Sequence, residues 1–312
     1  MDKLDLKILA VLDWNARIPL KAIARSLNAN KDVVAYRIKK LEETGIIKRY
    51  FPVLDMSKLG YHTSRLYFDL EEMDEQQERA FISFLDKEIR AGLIFRMDYP
   101  YRYGIFLWTK SIYDVGKAII QIKRKLDKTL LRYHHSLICT LRQYPKDYLF
   151  GKRIHESSRS IEPAFPISYD DVDFKILQEL AKNARLSTVH IAKNIHVPQT
   201  TVSHKIKNLE KKKIILGYRA ELDYHKLGFM NFFLEIYLEN NTSLSQIEAW
   251  ANTHPNVVWL QKIIGACDIE IKVEVKDRIA LEQLLNELRK KFKSIRKIVF
   301  WSQDYKKLTF VP

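Results

Sequence analysis

The sequence predicts an α+β fold made of two repeats, each a winged helix-turn-helix followed by a ferredoxin-like βαββαβ domain. Three observations carry the prediction. First, residues 4–61 align without a gap on residues 172–229, at an offset of 168, with 23 identities in 58 positions; chance would give about three or four. Second, each aligned segment reads as three helices with a tight turn before the third, followed by a basic strand. Third, each segment is followed by strand and helix patterns in the order βαββαβ, the split βαβ arrangement with both helices on one sheet face.

In the first repeat, Leu4, Ile8, Leu9 and Leu12 recur at helical spacing with Asp5 in the first turn, which predicts a helix over 4–14. Pro19 introduces a second helix over about 20–27, with Ile23, Ala24 and Leu27 inward. Asn28-Ala29-Asn30 supplies a turn and an N-cap, and Val34, Ile38 and Leu41 mark the buried stripe of a third helix that ends near Gly45. A strand over 46–54 then carries Lys48 and Arg49. Strand-like segments follow at 63–71, 92–97, 103–109 and 131–142, with helices at 75–88 and 111–126. The second repeat runs in the same order: 231–239, 244–253, 257–264, 268–275, 278–292 and 295–301. The predicted domains are therefore 1–61, 62–147, 172–229 and 230–312. Residues 148–171 form a linker whose 24 residues could span tens of ångströms if extended. One face of each antiparallel sheet is left without helices, and a second such sheet is the natural cover.

Composition narrows the partner. The chain has 312 residues, with 53 Lys and Arg against 38 Asp and Glu, a net charge of +15. Residues 1–61 carry +5 and residues 172–229 carry +6, so +11 of the +15 sits on the two helical modules. A polyanion is the expected partner, and those modules are where its footprint belongs. No apolar run approaches the roughly 18–20 residues of a membrane helix. The first residues do not read as a signal peptide, and Cys139 and Cys267 are the only cysteines. A cytoplasmic protein with no membrane partner is expected. The nine His residues show no metal-ligand spacing, and neighbours such as His134 and His135 face opposite sides of a strand, so no metal site, no cofactor and no catalytic set are expected.

Burying Val34, Ile38 and Leu41 turns Lys31, Asp32, Ala35, Tyr36 and Lys39 outward. Burying Val202, Ile206 and Leu209 does the same for Gln199, Thr200, Ser203, His204 and Lys207. Short or amide side chains near a helix start, flanked by lysines, suit the edges of bases in a major groove. Arg37 and Lys205 lie at the rim, suited to phosphate, as do Lys48 and Arg49 on the strand. Double-stranded DNA is the expected partner. The two faces differ at nearly every outward position, which suits a non-palindromic target.

With these residues in view, the chain resembles the Lrp/AsnC (feast/famine) family of prokaryotic regulators. The resemblance rests on Asp5, Ala16-Arg17, Ile23-Ala24, Val34, Arg37-Ile38, Leu41, Gly45-Ile46-Ile47, Asp55 and Leu59-Gly60, and on their second copy. It implies a DNA-binding module followed by a sensing domain that pairs through its sheet, with amino acids or related metabolites as effectors. The family's Gly-x-x-Asp turn between the second and third sensing strands is kept in the second repeat as Gly265, Ala266, Cys267 and Asp268. In the first it reads Tyr99-Pro100-Tyr101-Arg102. An amino-acid-like effector is therefore expected at Gly265–Asp268, where an acidic group can meet an ammonium. With two sensing domains on one chain, an intra-chain pseudo-dimer is expected, with pairing between chains as the competing arrangement and homo-oligomers allowed.

The resemblance also brings an alternative, since the related sirohaem decarboxylases use the same paired architecture on a tetrapyrrole. Arg96 and Arg102, amid Phe95, Tyr99, Tyr101 and Tyr103, could hold carboxylates of such a ring. No His lies within either strand pair, and the basic helices would then have no task. An RNA-binding or pure interaction module is the third class.

Overall fold

The computed structural model describes residues 1–154, 158–265 and 267–312. Helices α1 (Lys3–Trp14), α2 (Leu20–Ser26) and α3 (Lys31–Glu43) precede strand β1 (Ile47–Leu54). The first sensing unit follows as β2 (His62–Leu70), α4 (Glu75–Lys87), β3 (Leu93–Met97), β4 (Tyr103–Thr109), α5 (Ile112–Leu126) and β5 (Leu130–Gln143). A short strand β6 (Arg159–Ile161) lies between the repeats. The second helical module comprises α6 (Asp171–Lys182), α7 (Thr188–Ile195), α8 (Gln199–Lys211) and β7 (Ile215–Leu222). Its sensing unit is β8 (Met230–Leu238), α9 (Leu244–Thr253), β9 (Val257–Ile264), β10 (Ile269–Val275), α10 (Arg278–Lys291) and β11 (Ile295–Trp301), followed by β12 (Gln303–Leu308). Among the described residues no helix is long and apolar enough to cross a membrane.

Local chemistry explains the helix ends. The Asp2 carboxylate accepts from the backbone of Leu4 and Asp5 while Asp5 accepts from Asp2, and Asp170 with Asp173 repeats this reciprocal cap on α6. Asn30 caps α3 through the amide of Asp32 at 2.7 Å. Helix α3 is stopped by Gly45 at φ +67°, but the equivalent position after α8 is Lys213, at φ +58°. A side chain in that left-handed region costs about 1 kcal/mol. Lys213→Gly is therefore expected to raise unfolding stability by about that amount, measured by urea denaturation.

The two helical modules are joined by a ribbon. β1 pairs antiparallel with β7, and Phe51 stands opposite Arg219. Those two positions are equivalent under the repeat, so the ribbon has an approximate two-fold axis there. Reciprocal ties surround it. Ala16 N–H donates to Tyr218 O and Ala184 N–H to Tyr50 O, both at 3.0 Å. Arg17 donates to the carbonyls of Ala184 and Leu186, Arg185 donates to that of Ala16, and each guanidinium lies over the opposite module's tyrosine. The repeated Asn-Ala-Arg run thus serves the contact between modules. One core fills both, from Ile8, Leu9 and Leu12 to Ile176, Leu177 and Leu180.

The sensing units share a ten-stranded sheet, running β11-β8-β10-β9-β5-β2-β4-β3-β12 with β6 on β5. Strand β5 pairs with β2 through its first half and with β9 through its second, changing partner at Leu137. β12 continues from β11 and returns to pair with β3 of the first repeat. Each unit's last strand thus covers the other's open edge, which leaves neither β3 nor β9 as a bare template for aggregation. The helix-free faces meet: Tyr67, Phe95 and Phe106 of the first sheet cluster with Phe233 and Trp301 of the second. The expected cover for the bare sheet faces is present, whereas β12 and the partner change in β5 have no forewarning in the sequence pattern.

The described parts of the expected linker, residues 148–154 and 158–171, pack against the modules and do not form a free tether. Tyr148 and Leu149 are buried in the core of the helical modules, and the Ile167 amide donates to Lys58 O at 2.8 Å. Arg219, 3% exposed, forks onto both carboxylate oxygens of Asp13 at 2.8 Å and donates to Tyr144 O at 3.0 Å, while the Lys146 amide donates to Asp13 at 3.0 Å. This buried pair has no counterpart across the axis, where Ala181 and Phe51 stand instead.

Candidate functional site

Helices α3 and α8 lie at the surface, each caught between its module's core and solvent. Val34, Ile38 and Leu41, and Val202, Ile206 and Leu209, are buried. Lys31, Asp32, Tyr36 and Lys39 are exposed and Ala35 is half-buried; Gln199, Thr200, His204 and Lys207 are exposed and Ser203 is half-buried. Tyr36 keeps 65% of its surface in solvent although it is large and aromatic, which suits a stacking or groove contact.

Four of the cations expected on phosphate have other employment. Arg37 is tied to Asp2 at 2.6 Å and Asp5 at 2.9 Å, and Lys205 is tied to Asp170 at 2.5 Å and Asp173 at 3.1 Å. These carboxylates cap α1 and α6, so the two cations lock the third helix of each module to its first. The backbone amides of the cap, together with the Arg37 guanidinium, hold the Asp2 carboxyl below its ordinary range. Lys48 and Arg49 do not sit on a free wing. Because β1 is consumed by pairing with β7, Lys48 reaches Asp223 at 3.1 Å and Arg49 reaches Glu221 at 2.6 Å and the Leu308 carbonyl at 2.9 Å. Both line a chamber of about 710 Å³ between the ribbon and the closed sheets.

The expected effector turn is only partly suited to its task. Gly265 has φ +125°, and a Cβ there would come within 2.6 Å of the His135 carbonyl, so the glycine serves the close approach of this turn to β5. Ala266 lies outside the described residues. Cys267 is buried, its thiol pushed up by burial and directed at the Ile269 carbonyl, 3.3 Å away. Asp268 is exposed and accepts from the Leu238 amide at 2.7 Å. It is the residue of the four with a carboxylate to offer. In the first repeat, Tyr99, Pro100, Tyr101 and Arg102 border an open cleft of about 500 Å³ together with Arg96, Asp69, Asp98 and Asp304. Arg96 and Arg102 stand 3.6 and 3.7 Å from Glu78 and Glu72. Phe95 is buried between the sheets and Tyr103 packs edge-on against Phe81 on the helix side. The aromatic set suggested for a flat ring therefore does not converge on one pocket.

Sequence reasoning missed the charged interior. Glu270, Lys272 and Glu274 alternate with Ile and Val along β10, a pattern that ordinarily marks a solvent face. All three are buried between the sheets. Arg65 of β2, 1% exposed, pairs with Glu270 and donates to Gln261 Oε1 at 2.5 Å, bridging the two units. Burial, and then the charge of Glu270, pushes the Glu235 carboxyl up to about 7. A carboxyl raised in the folded state contributes stability that is complete below its ordinary value of 4.5 and lost as pH rises to about 7. Glu235→Gln should accordingly flatten the decline in stability over that window and gain on the order of 3 kcal/mol at pH 8, as read by urea unfolding at a series of pH values. Among the described residues no group of three or more His, Cys, Asp or Glu is placed to hold a metal ion.

Comparison with known proteins fits this arrangement. A winged helix-turn-helix DNA-binding model matches twice, at residues 1–48 and 169–215, and the Lrp/AsnC ligand binding domain model matches residues 231–300. The Bkd operon transcriptional regulator of Pseudomonas aeruginosa is 33% identical over 119 residues, covering 37% of this chain and 78% of that protein. The HTH-type transcriptional regulator LrpB of Bacillus subtilis is 31% identical over 126 residues, 39% of this chain and 81% of that protein. Each spans about one repeat. Among solved structures, the siroheme decarboxylase NirDL covers 99% of this chain and 94% of its own, with a TM-score of 0.63 at 12% identity, a likeness of fold alone.

Proposed function

Since the chain belongs to the Lrp/AsnC family, we propose that it is a transcriptional regulator that binds a specific, non-palindromic site on double-stranded DNA through α3 and α8 together. The observation that carries this reading is the β1–β7 ribbon with its reciprocal Arg17 and Arg185 ties. It holds two winged-helix modules about one two-fold axis, as paired half-site readers require. Base-edge readout is assigned to Lys31, Asp32, Ala35 and Tyr36 in one half and to Gln199, Thr200, Ser203 and His204 in the other, with Lys39 and Lys207 on phosphate. The sensing units pair within one chain as a pseudo-dimer, so a single chain is the binding unit. The repeat itself is read as a tandem duplication.

The test is selection from random duplexes followed by titration. A consensus with unlike halves is expected. Lys31→Ala with Lys39→Ala should weaken binding and lower the salt slope by about 1, for the phosphate that Lys39 no longer neutralises. An unchanged slope and affinity would overturn the role of α3; Lys207→Ala asks the same of α8. An amino-acid effector near Asp268 is part of this proposal, and Asp268→Ala should abolish any amino-acid-induced thermal shift.

The tetrapyrrole reading draws on the fold likeness to NirDL, of which a second structure holds an iron-uroporphyrin III analogue at a TM-score of 0.61. The paired state of Arg96 and Arg102 and the dispersal of the aromatic set around them weigh against it.

A further inference from the structure

We infer that the chamber between the ribbon and the closed sheets is a binding site for a planar aromatic molecule of low net charge, a second regulatory ligand separate from an amino acid at Asp268; its regulatory role rests on the function proposed above. The chamber, partly open to solvent, measures about 710 Å³, in the range of small-molecule sites. Its rings come from every wall: Phe51 and Tyr224 from the ribbon and its end, Trp108, Trp259 and Tyr305 from the sheets, and Phe310 from the tail. Phe51 and Phe310 stack at 4.1 Å, so the tail closes part of the chamber with a ring already held in place.

Charge selects the ligand class. Five of the six lysines and arginines on the walls already have acids: Lys48 with Asp223, Arg49 with Glu221, Lys146 and Lys272 with Glu274, and Arg219 with Asp13. A ligand with several carboxylates would have to displace those acids and leave them unpaired in a partly dry space. A small zwitterion would strand its charges among rings and fill little of the volume. A flat, nearly neutral aromatic molecule loses little hydration and gains stacking on both sides. Because one wall carries the DNA-reading pair and the other the sensing pair, such a ligand binds differently as the two shift. That is the condition for coupling it to DNA affinity.

Cys139 lines this chamber while Cys267 is buried elsewhere, so one thiol reports on occupancy. The full chain is titrated with 8-anilinonaphthalene-1-sulfonate and with uncharged N-phenyl-1-naphthylamine, and DNA binding is measured in parallel. The expected result is saturable 1:1 binding with energy transfer from Trp108 and Trp259. At saturation, reaction of Cys139 with a disulfide reagent should slow at least tenfold, and Cys139→Phe should weaken probe binding at least tenfold. The thiol measurement uses the unaltered chain and stands even if the variant folds poorly. Absence of saturable binding, an unprotected Cys139, or tighter binding of iron uroporphyrin that expels the probe would overturn the inference. Probe binding that meets these criteria in a chain that binds no DNA would support the site and defeat only the regulator reading.

Discussion

Replacing Asp13 with Ala is expected to destabilise the protein by about 3–5 kcal/mol, because it leaves the buried Arg219 guanidinium without its counter-charge. Asp13 is 1% exposed, and Arg219 gives it three side-chain hydrogen bonds at 2.8–3.2 Å. The loss spreads further. Arg219 also holds the Tyr144 carbonyl, and Asp13 accepts the Lys146 amide, so the segment leaving the first sensing unit is anchored through the same pair. Urea unfolding measures the loss. The double variant Asp13→Ala, Arg219→Met should recover most of it, since an apolar pair of similar volume carries no desolvation cost. An Asp13→Ala midpoint equal to wild type would show that Arg219 finds water, and the anchoring role would fall.

Glu270→Ala should cost a similar amount, about 3–5 kcal/mol, for the same reason in a different place. Arg65 crosses from the first sheet to the second, lies over the Phe106 ring at 4.5 Å and has Glu270 as its one acidic partner among the described residues. Unlike the loss at Asp13, this one falls on the join between sensing units. Near-ultraviolet circular dichroism should therefore change with it, through Trp301 and Phe233, which stack 5.9 Å apart in the same interior. Arg65→Met with Glu270→Leu should restore stability. Should Glu270→Ala retain both its midpoint and its aromatic spectrum, the bridge contributes nothing.

The repeat, the helices and all but two strands were legible because they depend on short-range signals: apolar period, caps and turns. Ile8, Leu9 and Leu12 announce a buried stripe whatever surrounds them. Three things were not legible, and each depends on a partner far away in sequence. Lys48 and Arg49 look like a free basic wing until β7, some 170 residues on, pairs with β1 and supplies Asp223 and Glu221. Arg37 and Lys205 have the composition of phosphate ligands, but the caps of α1 and α6 hold them. The Ile-Glu-Ile-Lys-Val-Glu-Val alternation of β10 reads as half solvated, and only the closing of one sheet upon another buries its charged side. The third helix of each module and its exposed face were visible from Val34, Ile38, Leu41 and their copies, because an exposed face is simply what a buried stripe leaves over.

Phe51 and Arg219 face each other at the axis of the ribbon. In an assembly of two identical chains, any residue on the axis meets its own copy, so an arginine there would bury like charge against like, and every substitution would arrive twice. Carrying both halves on one chain lifts that restriction. One half can take an arginine and the other a phenylalanine, and one can acquire an aspartate partner that the other lacks. On the function proposed above, the same freedom extends to α3 and α8: each could drift toward a different base sequence without disturbing its twin, and no exchange of subunits with related regulators could scramble the combination. A covalent pair of this kind behaves genetically as a heterodimer encoded once, with its two members always made in equal numbers.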